Sequence, residues 1–263
     1  MELTEQQARQ YQTFGLVILR HLLSPQEMVT LDREFKAAID SWVPGGMNSG
    51  KSRLYVPLTG DASPFLTGLL DDPRFCNVAE QLIGAPVLGQ LMEGHYYVGD
   101  HIWHPVERAI GYKGIRFVIY PGLIHAQNGA LRFLPGSQDD PLGAKMVRNT
   151  EEVFGLTADE VPSFVANTAP GDVIIHHPQV WRAALNAREY TRCIVLSYCE
   201  DPQTNAVRHA VVNAFNAYHQ KFIAALGSGQ MYPAYWRELA NPRHQHWVRR
   251  ISELGVLNTP QAK

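Results

Sequence analysis

The chain is sparing with features that would place it quickly. It has three cysteines, Cys76, Cys193 and Cys199, scattered and with no CxxC spacing. That excludes a disulfide framework and a structural zinc cluster, and it points to small buried thiols in a reducing compartment. No apolar run approaches the roughly 18 residues that a membrane helix needs. The opening Met-Glu-Leu-Thr-Glu-Gln-Gln is polar and acidic, without an apolar signal core, so a cytoplasmic protein is expected. Net charge is only -2, which gives no reason to expect nucleic acid or an anionic membrane as partner. There is no GxGxxG after a strand, no Walker loop, no GxSxG elbow and no HExxH, so dinucleotide, P-loop, hydrolase-elbow and zincin chemistry have no support.

What is present suits one globular domain spanning residues 1–263, with 45% hydrophobic and 18% charged residues. No repeat or linker divides it. Thr4 with Gln7, and Ser24 with Glu27 followed by Pro25 in the first turn, have the spacing of capping boxes that start two helices. After Ser24 the residues Met28, Leu31, Phe35, Ala38 and Ile39 recur with helical period. Gly15–Arg20 reads as a strand between these helices. The Gly-, Pro- and Ser-rich stretch from Trp42 to Ser52 reads as a loop. Strands are expected at Val87–Val98, Ile115–Tyr120, Ala130–Leu134, Val173–His177 and Arg192–Cys199, each bounded by Gly, Pro or Asn. In the last of these, Cys193, Val195, Ser197 and Cys199 alternate with Arg192, Ile194, Leu196 and Tyr198, so one set should face a barrel interior. Helical pattern returns from Asn205 through the Trp236 and Trp247 regions. The sum is a mainly β, α+β domain: a small antiparallel barrel or jelly roll flanked by N- and C-terminal helices.

Several ordered matches then carry a family resemblance. They are the opening LTEQQARQYQTFGLVILRHLLSPQEM, the segment Gly99-Asp-His-Ile-Trp-His104-Pro-Val106, Arg116-Phe-Val-Ile-Tyr120, Asn128-Gly-Ala-Leu-Arg-Phe-Leu-Pro-Gly-Ser137, and Gly171-Asp172-Val-Ile-Ile leading to Trp181-Arg182 and Arg192. Together they resemble phytanoyl-CoA dioxygenase-like proteins. The resemblance implies a double-stranded β-helix (cupin-like) fold and, for the family, Fe(II) and 2-oxoglutarate as cofactors. It aligns His104 with the first iron-ligating histidine and Arg192 with the arginine that holds the far carboxylate of 2-oxoglutarate. Val106 falls at the acidic ligand and Arg182 at the distal histidine.

Those departures decide the chemistry. A facial triad of two imidazoles and a carboxylate holds Fe(II) and leaves three positions open. Valine has no lone pair to give, and a guanidinium stays charged at any relevant pH. A unit positive charge about 5 Å from Fe(II) repels it by roughly 7 kcal/mol at an effective dielectric of 20. No metal is expected at the usual place. A shifted site would have to draw on His104, Glu107 and a further histidine such as His176.

Three functions follow. One is an enzyme without a metal. In it Arg182 and Arg192 point inward to bind an anion, His104 moves a proton, and Tyr97 and His95 are further catalytic candidates. The reaction would be a non-oxidative cyclisation, isomerisation, elimination or addition on a small metabolite. The second is an Fe(II)/2-oxoglutarate oxygenase with shifted ligands. The third is a binding pseudoenzyme with a filled barrel. In that case Arg182 pairs with an acid such as Glu93 or Asp100, and Tyr96, Tyr97, Trp103, Tyr112, Tyr120 and Trp181 simply pack.

Overall fold

A computed structural model of the chain describes residues 1–42, 53–60, 62–97, 101–105, 111–139, 141–187, 191–226, 232–237 and 241–256. The Thr4 hydroxyl accepts from the Gln7 amide and the Gln7 side chain from the Thr4 amide, so the capping box starts α1 (Glu5–Phe14) as expected. Gly15 ends it in the left-handed region and leads into β1 (Leu16–Leu19). The Ser24–Glu27 box likewise starts α2 (Pro25–Trp42). There follow β2 (Arg53–Pro57), α3 (Pro64–Leu69), α4 (Pro73–Ile83), β3 (Val87–Tyr97), β4 (His101–His104), β5 (Gly114–Ile119) and β6 (Leu131–Phe133). Two short helices, α5 (Leu142–Lys145) and α6 (Thr150–Phe154), precede β7 (Phe164–Val165), β8 (Val173–His176), β9 (Arg182–Ala184) and β10 (Thr191–Glu200). The chain closes with α7 (Asn205–Leu226), a 3-10 turn at Ala234–Arg237 and α8 (Pro242–Leu254).

The strands form two antiparallel sheets, one in the order β1-β8-β5-β10-β3-β2 and one in the order β4-β9-β6-β7. Apolar residues from both meet between them: Val118, Tyr120, Ile174, Cys193 and Val195 from the larger sheet, Leu131, Phe133 and Ala184 from the smaller. This is a jelly roll whose interior is part apolar and part polar. The opposite face of the larger sheet carries Ile115, Phe117, Ile119, Ile194, Leu196 and Tyr198 and packs beneath the helices. Two glycines on β3 let helices approach it closely. A Cβ on Gly94 would stand 2.3 Å from the Phe35 ring of α2, and one on Gly89 would stand 2.6 Å from the Trp247 ring of α8. A third cluster lies on the outer face of the smaller sheet. There Trp103 and Trp181 are buried, their indole N–H groups donating to Ala158 O (2.8 Å) and Gly143 O (3.0 Å).

The polar turn before β8 also has a physical cause. Asp172 is buried where β1 turns back beside β8, and it accepts from the His21 amide (2.9 Å), the Ala169 amide (3.0 Å) and Arg20 Nη1 (2.7 Å). These donors hold its carboxyl below the usual carboxylate range against the opposing effect of burial. All three cysteines are buried and none is in a disulfide. Among the described residues, no helix is long and apolar enough to cross a membrane.

The expected strands recur within a residue or two of their bounds. Of the expected loop from Trp42 to Ser52, Trp42 is instead the last residue of α2 and residues 43–52 lie outside those described, with β2 beginning at Arg53.

Candidate active site

Alternation along each strand sends one set of side chains into the jelly roll. His104 closes β4, and Arg182, opening β9, is its direct cross-strand partner, so both side chains stand on one face. On its other side Arg182 pairs with Phe133 of β6, a member of the interior cluster. Arg182 is buried and His104 half-buried. His104 Nδ1 lies 2.7 Å from the carbonyl of Ile102. A carbonyl only accepts, so Nδ1 carries the hydrogen and Nε2 the basic lone pair in the neutral ring.

The larger sheet adds a polar layer opposite this pair. Arg116 of β5 lies between two cross-strand partners, His176 of β8 and Ser197 of β10. His176 is fully enclosed, its ring 5.3 Å from that of Phe133, and its Nδ1–H donates to His177 O at 2.9 Å. Burial, then the charges of Arg182 and Arg116, push its pKa well below the ordinary histidine value. His176 is thus a neutral imidazole between two guanidiniums. His95 and Glu93 share the interior face of β3 with 3.0 Å between Nε2 and Oε1, and Glu93 Oε1 is 3.9 Å from Arg116 Nη1. Tyr55 of β2 places its ring edge-on to His95 at 4.9 Å.

Arg192 is not in this group. It was expected to point inward beside His104, but it belongs to the alternation set of Ile194, Leu196 and Tyr198, which faces the helices. Its guanidinium binds Asp32 of α2 at 2.8 Å and lies 5.9 Å from the centre of the Phe35 ring. One residue of phase along β10 separates the two faces, so the second interior cation is Arg116. The strand reading contained the signal: an arginine in the apolar run Gly-Ile-Arg-Phe-Val-Ile, in phase with Val118. The structure therefore brings together His104, Arg182, His176 and Arg116, with His95 and Glu93 beside Arg116. The side chain of Tyr97, and Asp100, Val106 and Glu107, lie outside the described residues. Of the aromatic residues, Trp103 and Trp181 pack outward and Tyr120 packs in the interior core.

These residues do not fit a facial-triad iron. The position opposite His104 holds a group with donors only. Among the described residues no three His, Cys, Asp or Glu side chains converge as metal ligands. Nor does Arg192, bound to Asp32 beneath α2, fit the role of an interior anchor for 2-oxoglutarate.

Comparison with known proteins agrees with the architecture. The family model for phytanoyl-CoA dioxygenase matches residues 11–188. HygX from Streptomyces hygroscopicus, solved with nickel and 2-oxoglutarate bound, superposes with a TM-score of 0.65 at 15% identity, covering 79% of this chain and 94% of HygX. SnoN, a non-heme alpha-ketoglutarate-dependent epimerase from nogalamycin biosynthesis, gives 0.59 at 20% identity, covering 75% and 80%. SnoK, the carbocyclase of the same biosynthesis, gives 0.60 at 16% identity, covering 76% and 85%. At these identities the likeness establishes the fold. No curated protein matches the chain in sequence.

Proposed function

We propose that this chain, which belongs to the phytanoyl-CoA dioxygenase family, is an enzyme that acts on a small anionic metabolite without a facial-triad iron. The observation that carries the reading is the cross-strand pair of half-buried His104 and buried Arg182, with a guanidinium where a second imidazole ligand belongs. In a low-dielectric interior a fixed cation attracts negative charge, either a carboxylate of the substrate or an enolate formed during reaction. Arg116 adds a second cation on the facing sheet, and neutral His176 lies between them without adding to the positive charge.

His104 is the proton carrier in this reading. Its Nδ1–H is committed to the Ile102 carbonyl, which fixes the tautomer and leaves Nε2 as the atom that takes and returns the proton. Such a set performs isomerisation, elimination, addition or cyclisation, reactions that need a proton moved and an anion held but no oxidant. SnoN and SnoK, an epimerase and a carbocyclase on this fold, support a product that need not be hydroxylated. Activity on a small metabolite should survive chelation with EDTA and be lost in His104→Ala and in Arg182→Ala. Activity that vanishes with EDTA, or that both variants retain, would refute the mechanism.

A second reading is an Fe(II)/2-oxoglutarate enzyme with shifted ligands. It is favoured by the alpha-ketoglutarate dependence of SnoN and SnoK and by Glu107, one residue beyond the vacant acidic position. Succinate released from 2-oxoglutarate in the presence of Fe(II), oxygen and substrate would establish it.

A further inference from the structure

At the same end of the jelly roll, a small cavity of about 10 Å³ opens between the larger sheet and α7. It has room for one water-sized atom. Gln90, Tyr112, Arg116, Ser197 and Tyr218 line it, and the Glu93 carboxylate stands 3.9 Å from the other side of the Arg116 guanidinium, at Nη1. Arg116 and Ser197 are direct cross-strand partners, so the guanidinium and the hydroxyl reach the cavity side by side. Arg116 Nη2 donates to the Tyr218 hydroxyl, which ties α7 to the sheet at this point. Gln90 Nε2 donates to the Tyr112 hydroxyl at 3.2 Å. The Ser197 hydroxyl is 2% exposed and has no hydrogen-bond partner among the described residues. A buried hydroxyl without a partner is costly, and here it faces a cavity beside a cation.

We infer that this cavity is an oxyanion subsite that takes one carboxylate oxygen of the substrate, with Arg116 and Ser197 as its recognition residues. The inference rests on the reading of the substrate as a small anion, and it names where that anion's carboxylate is read. Three features point to a carboxylate. The lining offers a cation and a hydroxyl proton, which suit an acceptor. The volume admits one oxygen. And Arg116 is the direct cross-strand neighbour of His176, so the cavity adjoins the polar layer that faces the His104–Arg182 pair.

The test needs neither turnover nor metal. Sodium formate, the smallest carboxylate, is titrated against the intact protein at constant ionic strength, with sodium chloride as the matched control and thermal midpoint as the readout. Formate should raise the midpoint saturably and chloride should not. Ser197→Ala should weaken formate binding by about tenfold or more, the loss of one hydrogen bond to a charged group. Tyr218→Phe, which leaves the sheet intact but withdraws the hydroxyl that holds Arg116, should weaken it as well. Absence of saturation by formate, or equal binding to Ser197→Ala, would overturn the subsite. Equal stabilisation by chloride would show a halide site and overturn the carboxylate reading. None of these outcomes bears on the iron-free mechanism, which is decided by chelation and by succinate release.

Discussion

Replacing Arg192 with methionine separates two roles that one residue could have. If Arg192 served a ligand inside the jelly roll, its loss would abolish binding there. The structure instead joins it to Asp32 of α2 at 2.8 Å and sets it 5.9 Å from the Phe35 ring centre, with both partners of the ion pair about a quarter exposed. A partly exposed pair of this kind is worth about 1 kcal/mol, and the ring contact adds about 0.5–1 kcal/mol. Methionine keeps most of the apolar stem against α2, so burial changes little. The expected cost is about 1–2 kcal/mol, or a fall of roughly 2–8 °C in the thermal midpoint for a domain of this size. Asp32→Asn should cost a similar amount, and the double variant should cost less than the sum because the two share one interaction. Calorimetry on the four proteins measures the coupling, and formate titration of the same samples reads the interior site, where no change is expected. Loss of formate binding in Arg192→Met with an unchanged midpoint would refute the assignment of Arg192 to the helix side.

Other substitutions follow from the same geometry. Asp172→Asn removes a carboxylate that two backbone amides and Arg20 hold below its usual range, so it should destabilise the fold by about 2–4 kcal/mol at neutral pH. The natural aspartate's contribution is complete above the unfolded carboxyl value of about 3.9 and is lost as pH falls through the lower folded value, so the gap between the two proteins should close on acidification. His176 has the opposite charge type. Its folded pKa is depressed, so the unfolded chain binds the extra proton first, and stability should fall as pH drops below about 6.5. His176→Gln should flatten that slope, by up to about 1.4 kcal/mol per pH unit, in urea unfolding between neutral pH and pH 5. An unchanged slope would show that His176 is not held neutral in the fold.

Much of the architecture was legible in the chain because its cues are local. The capping residues Thr4 and Gln7, or Ser24 and Glu27, state where a helix begins without reference to anything distant. Cys193 and Val195 alternating with Arg192 and Ile194 state that β10 has two faces. What the alternation cannot state is which face looks into the barrel, because that depends on where α2 lies, and here it sent Arg192 to Asp32. The same limit hid Arg116, whose importance appears only when β8 and β10 bracket it with His176 and Ser197. Trp103 was ambiguous between pocket and core until residues 146–161 folded over it. The helices α3 and α4 carry local signals too, Pro64 for the first and the Asp72-Pro73 start with Gly84 at the end for the second. The pairing of His104 with Arg182 was readable only through the family resemblance, which aligned them with two metal ligands; the sheet register then made them neighbours.

The most direct test of an iron-free site is metal content after anaerobic loading with Fe(II) and 2-oxoglutarate and subsequent desalting. The natural protein is compared with a Val106→Asp, Arg182→His double variant. The natural protein should retain little iron, and the double variant, with two imidazoles and a carboxylate restored at the family positions, should retain near one equivalent. Near-stoichiometric iron in the natural protein would contradict an iron-free site and place the metal on ligands other than those of the triad.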